Sequence, residues 1–184
     1  MEVKNDTITA ESWVELPVRS GNVCADPERD VLKAAQILRH SSDPVLSVGF
    51  VRVLGLREGA LATSLTWDTN NVLVVGASEE DMAQAVNVLL KERGGFFAVK
   101  GGEVLGAVHL PIYGIISTKP MEEICSEIGK FEEVTRGLGM RRRAFVVLQT
   151  LPFTGLPHLR LTERGLLDVK KRSFVPLFGD AQGC

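Results

Sequence analysis

The most polar short segment in the β-rich part of the sequence is Trp67-Asp68-Thr69-Asn70-Asn71, set between two apolar runs. A carboxylate and two carboxamides on a connection between strands can reach a ligand or a partner domain, as loops on a rigid scaffold commonly do. The same residue types also close ordinary turns by bonding nearby backbone amides, so Asp68, Asn70 and Asn71 keep two readings. Trp67 would add an aromatic surface beside them. Arg39-His40, placed at the predicted end of a helix, offers a contact for an anion, or simply complements the helix dipole. Arg141-Arg142-Arg143 reads as a solvated basic patch.

Other patterns of catalysis are missing. A metal-dependent hydrolase draws three or four ligands together, usually with one close-spaced pair such as HxH or HExxH. His40, His109 and His158 stand alone and far apart, and Cys24, Cys125 and Cys184 form no CxxC pair. No metal site and no bound cofactor is expected in this chain. The zinc nucleobase-deaminase pattern, HxE followed by PCxxC, is absent. So are a P-loop, a GxGxxG turn and a GxSxG elbow. The chain is expected to hold no complete catalytic centre of its own.

The elements that must position the polar segment can be read from periodicity. Asp26-Pro27 has the form of a helix start, and Val31, Leu32, Ala35 and Leu38 then share one helical face, which predicts a helix to about His40. Trp13–Val18 reads as a short edge strand. Strands follow at Val45–Leu54, Ala60–Thr66 and Asn71–Val75. A helix capped by Ser78 comes next, with Met82, Val86, Leu89 and Leu90 as its stripe and Gly94 as its stop. The order then repeats: strands at Phe96–Lys100, Val104–Leu110 and Ile112–Ser117, then a helix from Lys119 to Gly137. Two successive βββα units predict an α+β fold of layered sheets covered by helices, an αββα-like sandwich. Ala144–Leu148 reads as a buried strand, 152–172 as loop, and Ser173–Phe178 as a terminal strand. Residues 1–8 and 179–184 are expected to fray, and the whole chain reads as one domain. Gly49, Gly59 and Gly76 are expected at bends or close backbone approaches.

The bulk properties limit the partners. Twenty-one basic against twenty-three acidic residues give a net charge of -2, so no overall positive field holds a nucleic acid. No leader-like start and no apolar run of membrane-spanning length is present, and unpaired cysteines fit a reducing compartment, so a cytoplasmic, non-membrane protein is expected.

Several ordered segments carry a resemblance: Glu15-Leu-Pro-Val18, Asp26-Pro-Glu-Arg-Asp30, Arg39-His40, Val48-Gly-Phe-Val51, Val74-Val-Gly76, Ala85-Val-Asn87, Leu161-Thr162, Asp168-Val169 and Phe174-Val-Pro-Leu-Phe178. In this order they resemble the C-terminal domain of bacterial and archaeal adenine deaminases, over about residues 9 to 178. The resemblance implies the accessory domain of an amidohydrolase that converts adenine and water to hypoxanthine and ammonia. In that family a preceding barrel binds the divalent metal. The implied partners are such a barrel, in the same or a separate chain, and further copies in a homo-oligomer. A stand-alone module for a purine or related small molecule is the alternative. Where the family usually reads His-Asp-Ser-His-Asn, this chain reads Trp67-Asp68-Thr69-Asn70-Asn71: the Asp and the last Asn match, both histidines are replaced, and no imidazole role carries over.

Overall fold

The computed structural model describes residues 1–43 and 45–179. Its strands are β1 (Glu2–Val3), β2 (Thr9–Ala10), β3 (Val18–Arg19), β4 (Asn22–Val23), β5 (Val31–Ile37), β6 (Leu46–Arg52), β7 (Ala60–Thr63) and β8 (Val72–Gly76). Helix α1 (Glu79–Lys91) follows, then β9 (Gly95–Lys100), β10 (Glu103–His109), α2 (Met121–Gly137) and α3 (Ala144–Thr150). The chain closes with β11 (Leu159–Thr162), β12 (Gly165–Asp168) and β13 (Ser173–Val175).

Eight strands form one sheet in the order β10-β9-β7-β8-β5-β6-β1-β2. Alternation along each strand splits its side chains between two cores. On one face Ala60, Ala62, Val72, Val74, Phe97 and Val99 lie with Met82, Ala85 and Leu89 of α1. On the other, Leu32, Leu61, Leu73, Val75 and Phe96 lie with Phe131 of α2, Val147 and Leu148 of α3, and Leu161 and Leu166 of the three-stranded sheet β11-β12-β13. Each such fully buried apolar side chain contributes roughly 1.5–3 kcal/mol relative to exposure. The α+β class and the helix-covered layering match the sequence expectation. The strands of the two βββα units, however, join a single sheet, because β9 pairs with β7 and not with a separate set.

Several elements differ from the sequence reading. The predicted helix over 26–40 is instead one 3-10 turn at Pro27–Arg29 followed by β5. Asp26 does cap that turn, accepting from the Arg29 amide at 3.3 Å. Asp30 then turns left-handed at φ 56°, which releases the chain into a strand between β6 and β8. Being buried on both faces, β5 shows a near-continuous apolar run that mimics helical spacing. Ala144–Leu148 is helical in α3, the reverse confusion, since a short apolar run does not distinguish the two. Ile112–Ser117 is a turn closed by the Ile112–Ile116 bridge, with Tyr113 and Gly114 both left-handed. Within the predicted 152–172 loop lies the β11–β12 hairpin. Trp13–Val18 is irregular up to β3, and residues 1–8 are tied down through β1, which pairs parallel to β6. Leu90, assigned to the apolar stripe of the Ser78-capped helix, is exposed, as is Met121 at the start of α2. The expected fraying of 180–184, and Cys184 with it, lies outside the described residues.

Of the three glycines singled out, Gly59 is a left-handed turn and Gly76 ends β8. Gly49 sits inside β6, where a Cβ would stand 3.1 Å from Leu161. Its bare backbone is what lets the small sheet seat directly on the large one.

Candidate functional site

Residues 64–71 connect β7 to β8 at one end of the large sheet. Asp68 (φ 77°) and Asn70 (φ 51°) are both left-handed, a conformation that Asn and Asp tolerate better than other side chains. The turn is closed from within. The Asn70 amide donates to the Thr66 carbonyl at 3.1 Å, and the Thr66 hydroxyl donates to the Asn71 carbonyl at 3.0 Å. It is also fastened from outside, because the Trp67 amide donates to the Gln149 carbonyl and the Trp67 indole N–H to Gln149 Oε1, both at 3.0 Å. Phe153 meets the indole edge-on at a centroid distance of 5.6 Å.

The sequence-selected residues divide in two. Asn71 is buried and structural: its Oδ1 accepts from the Arg39 amide at 3.2 Å, and its Nδ2 donates to Glu163 at 3.3 Å. This bond brings Arg39, at the end of β5 and not of a helix, beside the 67–71 turn. His40 follows it into solvent. Trp67 is 41 % exposed, and Asp68 is exposed with no hydrogen bond to its carboxylate among the described residues. Asp68 therefore does not close the turn; the Thr66 hydroxyl and the backbone do.

Sequence reasoning missed the neighbours. Gln149 and Phe153 belong to a stretch read as strand and loop, and only the helical turn of α3 brings them under Trp67. Across the turn, the Ser64 hydroxyl donates to the Gly114 carbonyl at 2.6 Å and accepts from the Gly95 amide at 2.8 Å. A Cβ on Gly94 would lie 2.3 Å from Gly114 Cα, so only glycine permits this approach. The contact holds the 110–117 turn beside the 64–71 connection, where Ile112 and Ile116 are exposed and Tyr113 is 78 % exposed. Between the two lies an open trough of about 510 Å³ lined by Leu65, Thr66, Trp67, Asp68, Asn70, Ile115 and Phe153. The exposed indole on one turn, and the exposed phenol and two isoleucines on the other, are residue types that interfaces use.

Among the described residues, no three His, Cys, Asp or Glu side chains converge to hold a metal ion. Among the described residues, no helix is long and apolar enough to cross a membrane.

Residues 6–173 match the family model described as the adenine deaminase C-terminal domain. The chain is 42% identical over 171 residues to the adenine deaminase of Clostridium botulinum (strain ATCC 19397 / Type A), which covers 92% of this chain and 28% of that protein. It is 40% identical over 174 residues to the adenine deaminase of Gluconobacter oxydans (strain 621H), covering 94% of this chain and 31% of the relative. For that of Methylobacterium sp. (strain 4-46) the identity is 41%, covering 92% and 30%. The chain thus spans less than a third of the length of the curated relatives it matches, and by its family-model match and its identity to them it belongs to the adenine deaminase C-terminal domain family.

Proposed function

We propose that this domain serves an adenine-deaminase-type hydrolase as a non-catalytic accessory domain that docks on the metal-binding barrel. The observation that carries the reading is the coverage: nearly the whole chain matches, yet it accounts for only 28–31% of the relatives. The surface around Trp67, Ile112, Tyr113 and Ile116 supplies the docking face, since it is exposed, aromatic and rigidly fastened by Gln149 and Ser64. Asp68 is the one ionisable group in the 67–71 turn, so a polar contribution from this turn to the partner's site falls to its carboxylate. The reaction, adenine to hypoxanthine and ammonia, belongs to the barrel. The cytoplasm is the proposed compartment, and a homo-oligomer the proposed assembly.

The test is reconstitution: this chain is mixed with a separately expressed adenine deaminase barrel, and association and adenine hydrolysis are followed with and without added divalent metal. The expected result is a stable complex, weakened about tenfold or more by Trp67→Ala combined with Tyr113→Ala. No complex, or a complex indifferent to both substitutions, sinks the assignment of this face.

The trough beside Trp67 favours a second reading, a module that takes a purine or related small molecule against the indole. A ligand that binds the folded state must stabilise it. Thermal melts across a purine panel that show no shift retire this reading.

A further inference from the structure

A second hollow lies at the far end of the large sheet from the 64–71 connection. Arg52, the last residue of β6, pairs with Val31 at the start of β5, whereas Ile37 at the end of β5 pairs with Val72 beside that connection. Arg52 lines a cavity of about 560 Å³, within the roughly 300–1,000 Å³ of small-molecule sites, and this cavity shares no lining residue with the trough at Trp67. Val31, Val51, Leu159 and Leu166, all buried, form its apolar wall with Val175 and Leu177. Trp13 and Gly179, from two further lining segments, touch: a Cβ on Gly179 would stand 2.7 Å from the indole, so the two segments join along the border of the cavity.

One guanidinium interrupts this apolar wall with its hydrogen bonds only partly made. Arg52 is half-buried; its Nη1 donates to the Ser12 hydroxyl at 3.2 Å, and its Nε is shut from solvent without a partner. Nη2 has no hydrogen-bond partner among the described residues either, but unlike Nε it is not shut from solvent. Because Ser12 lines the same cavity, its bond to Nη1 places the guanidinium at the wall. The Ser12 hydroxyl accepts from Arg52 and still has its own proton to give. Met1 lines the cavity as well, but its ammonium donates to the Phe50 carbonyl at 2.9 Å. Among the described residues no carboxylate pairs with Arg52: Glu2 is bonded to Lys4 at 2.5 Å, and Glu11 and Glu15, both exposed at the border, make no ion pair with it.

A half-buried cation with a donor to spare, set in hydrocarbon, calls for an anion that carries hydrocarbon. Glu11 and Glu15 oppose a second negative charge, which favours a monoanion over a phosphate. We propose that this cavity binds a monocarboxylate with an aliphatic body, of the class of a medium-chain fatty acid. One carboxylate oxygen accepts from Arg52 Nη2 and the other from the Ser12 hydroxyl, and the body lies along the valines and leucines. The site depends on neither the docking face nor the trough.

Calorimetric titration of the whole chain with octanoate, 1-octanol and acetate tests it, since the alcohol keeps the body without the charge and acetate keeps the head without the body. Octanoate is expected to bind saturably, with octanol weaker by about tenfold or more, the worth of charge-assisted hydrogen bonds, and with no binding of acetate at millimolar concentration. Arg52→Met should bring octanoate down to the level of octanol. Ser12 lies outside the strands and helices, so Ser12→Ala should weaken octanoate about threefold or more with the fold intact, which keeps the test valid should Arg52→Met misfold. Trp67→Ala should change nothing. Absence of octanoate binding at millimolar concentration overturns the proposal, as does octanol binding as tightly as octanoate in the parent chain. Octanoate binding that survives both Arg52→Met and Ser12→Ala, or that is lost in Trp67→Ala, puts the ligand elsewhere and overturns it too.

Discussion

Arg160 and Gln36 are both fully shut away from solvent, yet the fold treats them in opposite ways. Arg160, on β11, spends its guanidinium on backbone carbonyls: Nε donates to Leu156 at 3.0 Å and Nη1 to Thr150 at 2.9 Å, while Nη2 bonds Thr7 and Pro157. Burial pushes its pKa down to about 10, which still leaves it charged at neutral pH. It ties the 7–10 segment, the end of α3 and the start of the β11–β12 hairpin to one point. Gln36 ties nothing among the described residues. A buried polar group whose bonds are all made is a fastener, whereas one with none made is a cost that the fold carries.

The contrast predicts its largest effect at Arg160. Arg160→Met keeps the bulk but removes four hydrogen bonds: the Thr150 and Pro157 carbonyls keep the Phe153 and Thr9 amides, while those of Leu156 and Thr7 lose the one donor they have among the described residues, and hydrogen bonds to a charged group are worth about 1.5–3 kcal/mol each. A loss of about 3 kcal/mol or more in guanidinium denaturation is expected, in line with breaking other buried ionic contacts. A loss under about 1 kcal/mol would mean those carbonyls find water, and that Arg160 is no fastener.

Asn71→Ala comes next. It removes the acceptor of the Arg39 amide and the donor to Glu163, so a loss of about 1–2 kcal/mol is expected by the same measurement. Its opposite is Gln36→Leu, which deletes two unmet polar atoms and replaces them with hydrocarbon of similar size. That change should leave stability unaltered or raise it by up to about 1 kcal/mol. If Gln36→Leu destabilises as much as Asn71→Ala, the amide is satisfied in solution and the contrast between fastener and open group disappears.

How far the sequence could foresee this differs by residue. Helix α1 was legible because its signals are local: Ser78 accepts from the Asp81 amide at 3.2 Å, and Met82 and Leu89 point into the core. The Trp67–Asn71 turn was legible for the same reason, as polar turn chemistry between two strands. Gln36 was not, since it lies in a run read as helix, where position 36 carries no motif and its partners on β8 and β6 are non-local. Arg160 was hidden as well, in a stretch whose Pro152, Gly155, Pro157 and Gly165 read as loop. Its role depends on carbonyls from Thr7 and Thr150, more than a hundred residues apart in the chain. Register and two-sided burial are properties of the assembled sheet, and local spacing carries no record of them.

The smallest expected change in stability is at Asp68, where the docking proposal is most exposed to failure. Its backbone is left-handed, and asparagine accepts that conformation as readily, so Asp68→Asn introduces no strain. Its carboxylate fastens nothing among the described residues, unlike the side chain of Asn71 three positions on. Denaturation should therefore shift by no more than about 0.5 kcal/mol, the range of surface substitutions that break no specific feature. Association with a barrel should respond differently, because a carboxylate at the edge of an interface steers encounter and loses that effect when neutralised or screened by salt. The expected outcome is slower association for Asp68→Asn at low ionic strength, with the difference from the parent chain closing as salt is raised. A clear loss of stability with association unchanged would return Asp68 to the class of turn-closing residues, and the docking face would then have to stand on Trp67 and Tyr113 alone.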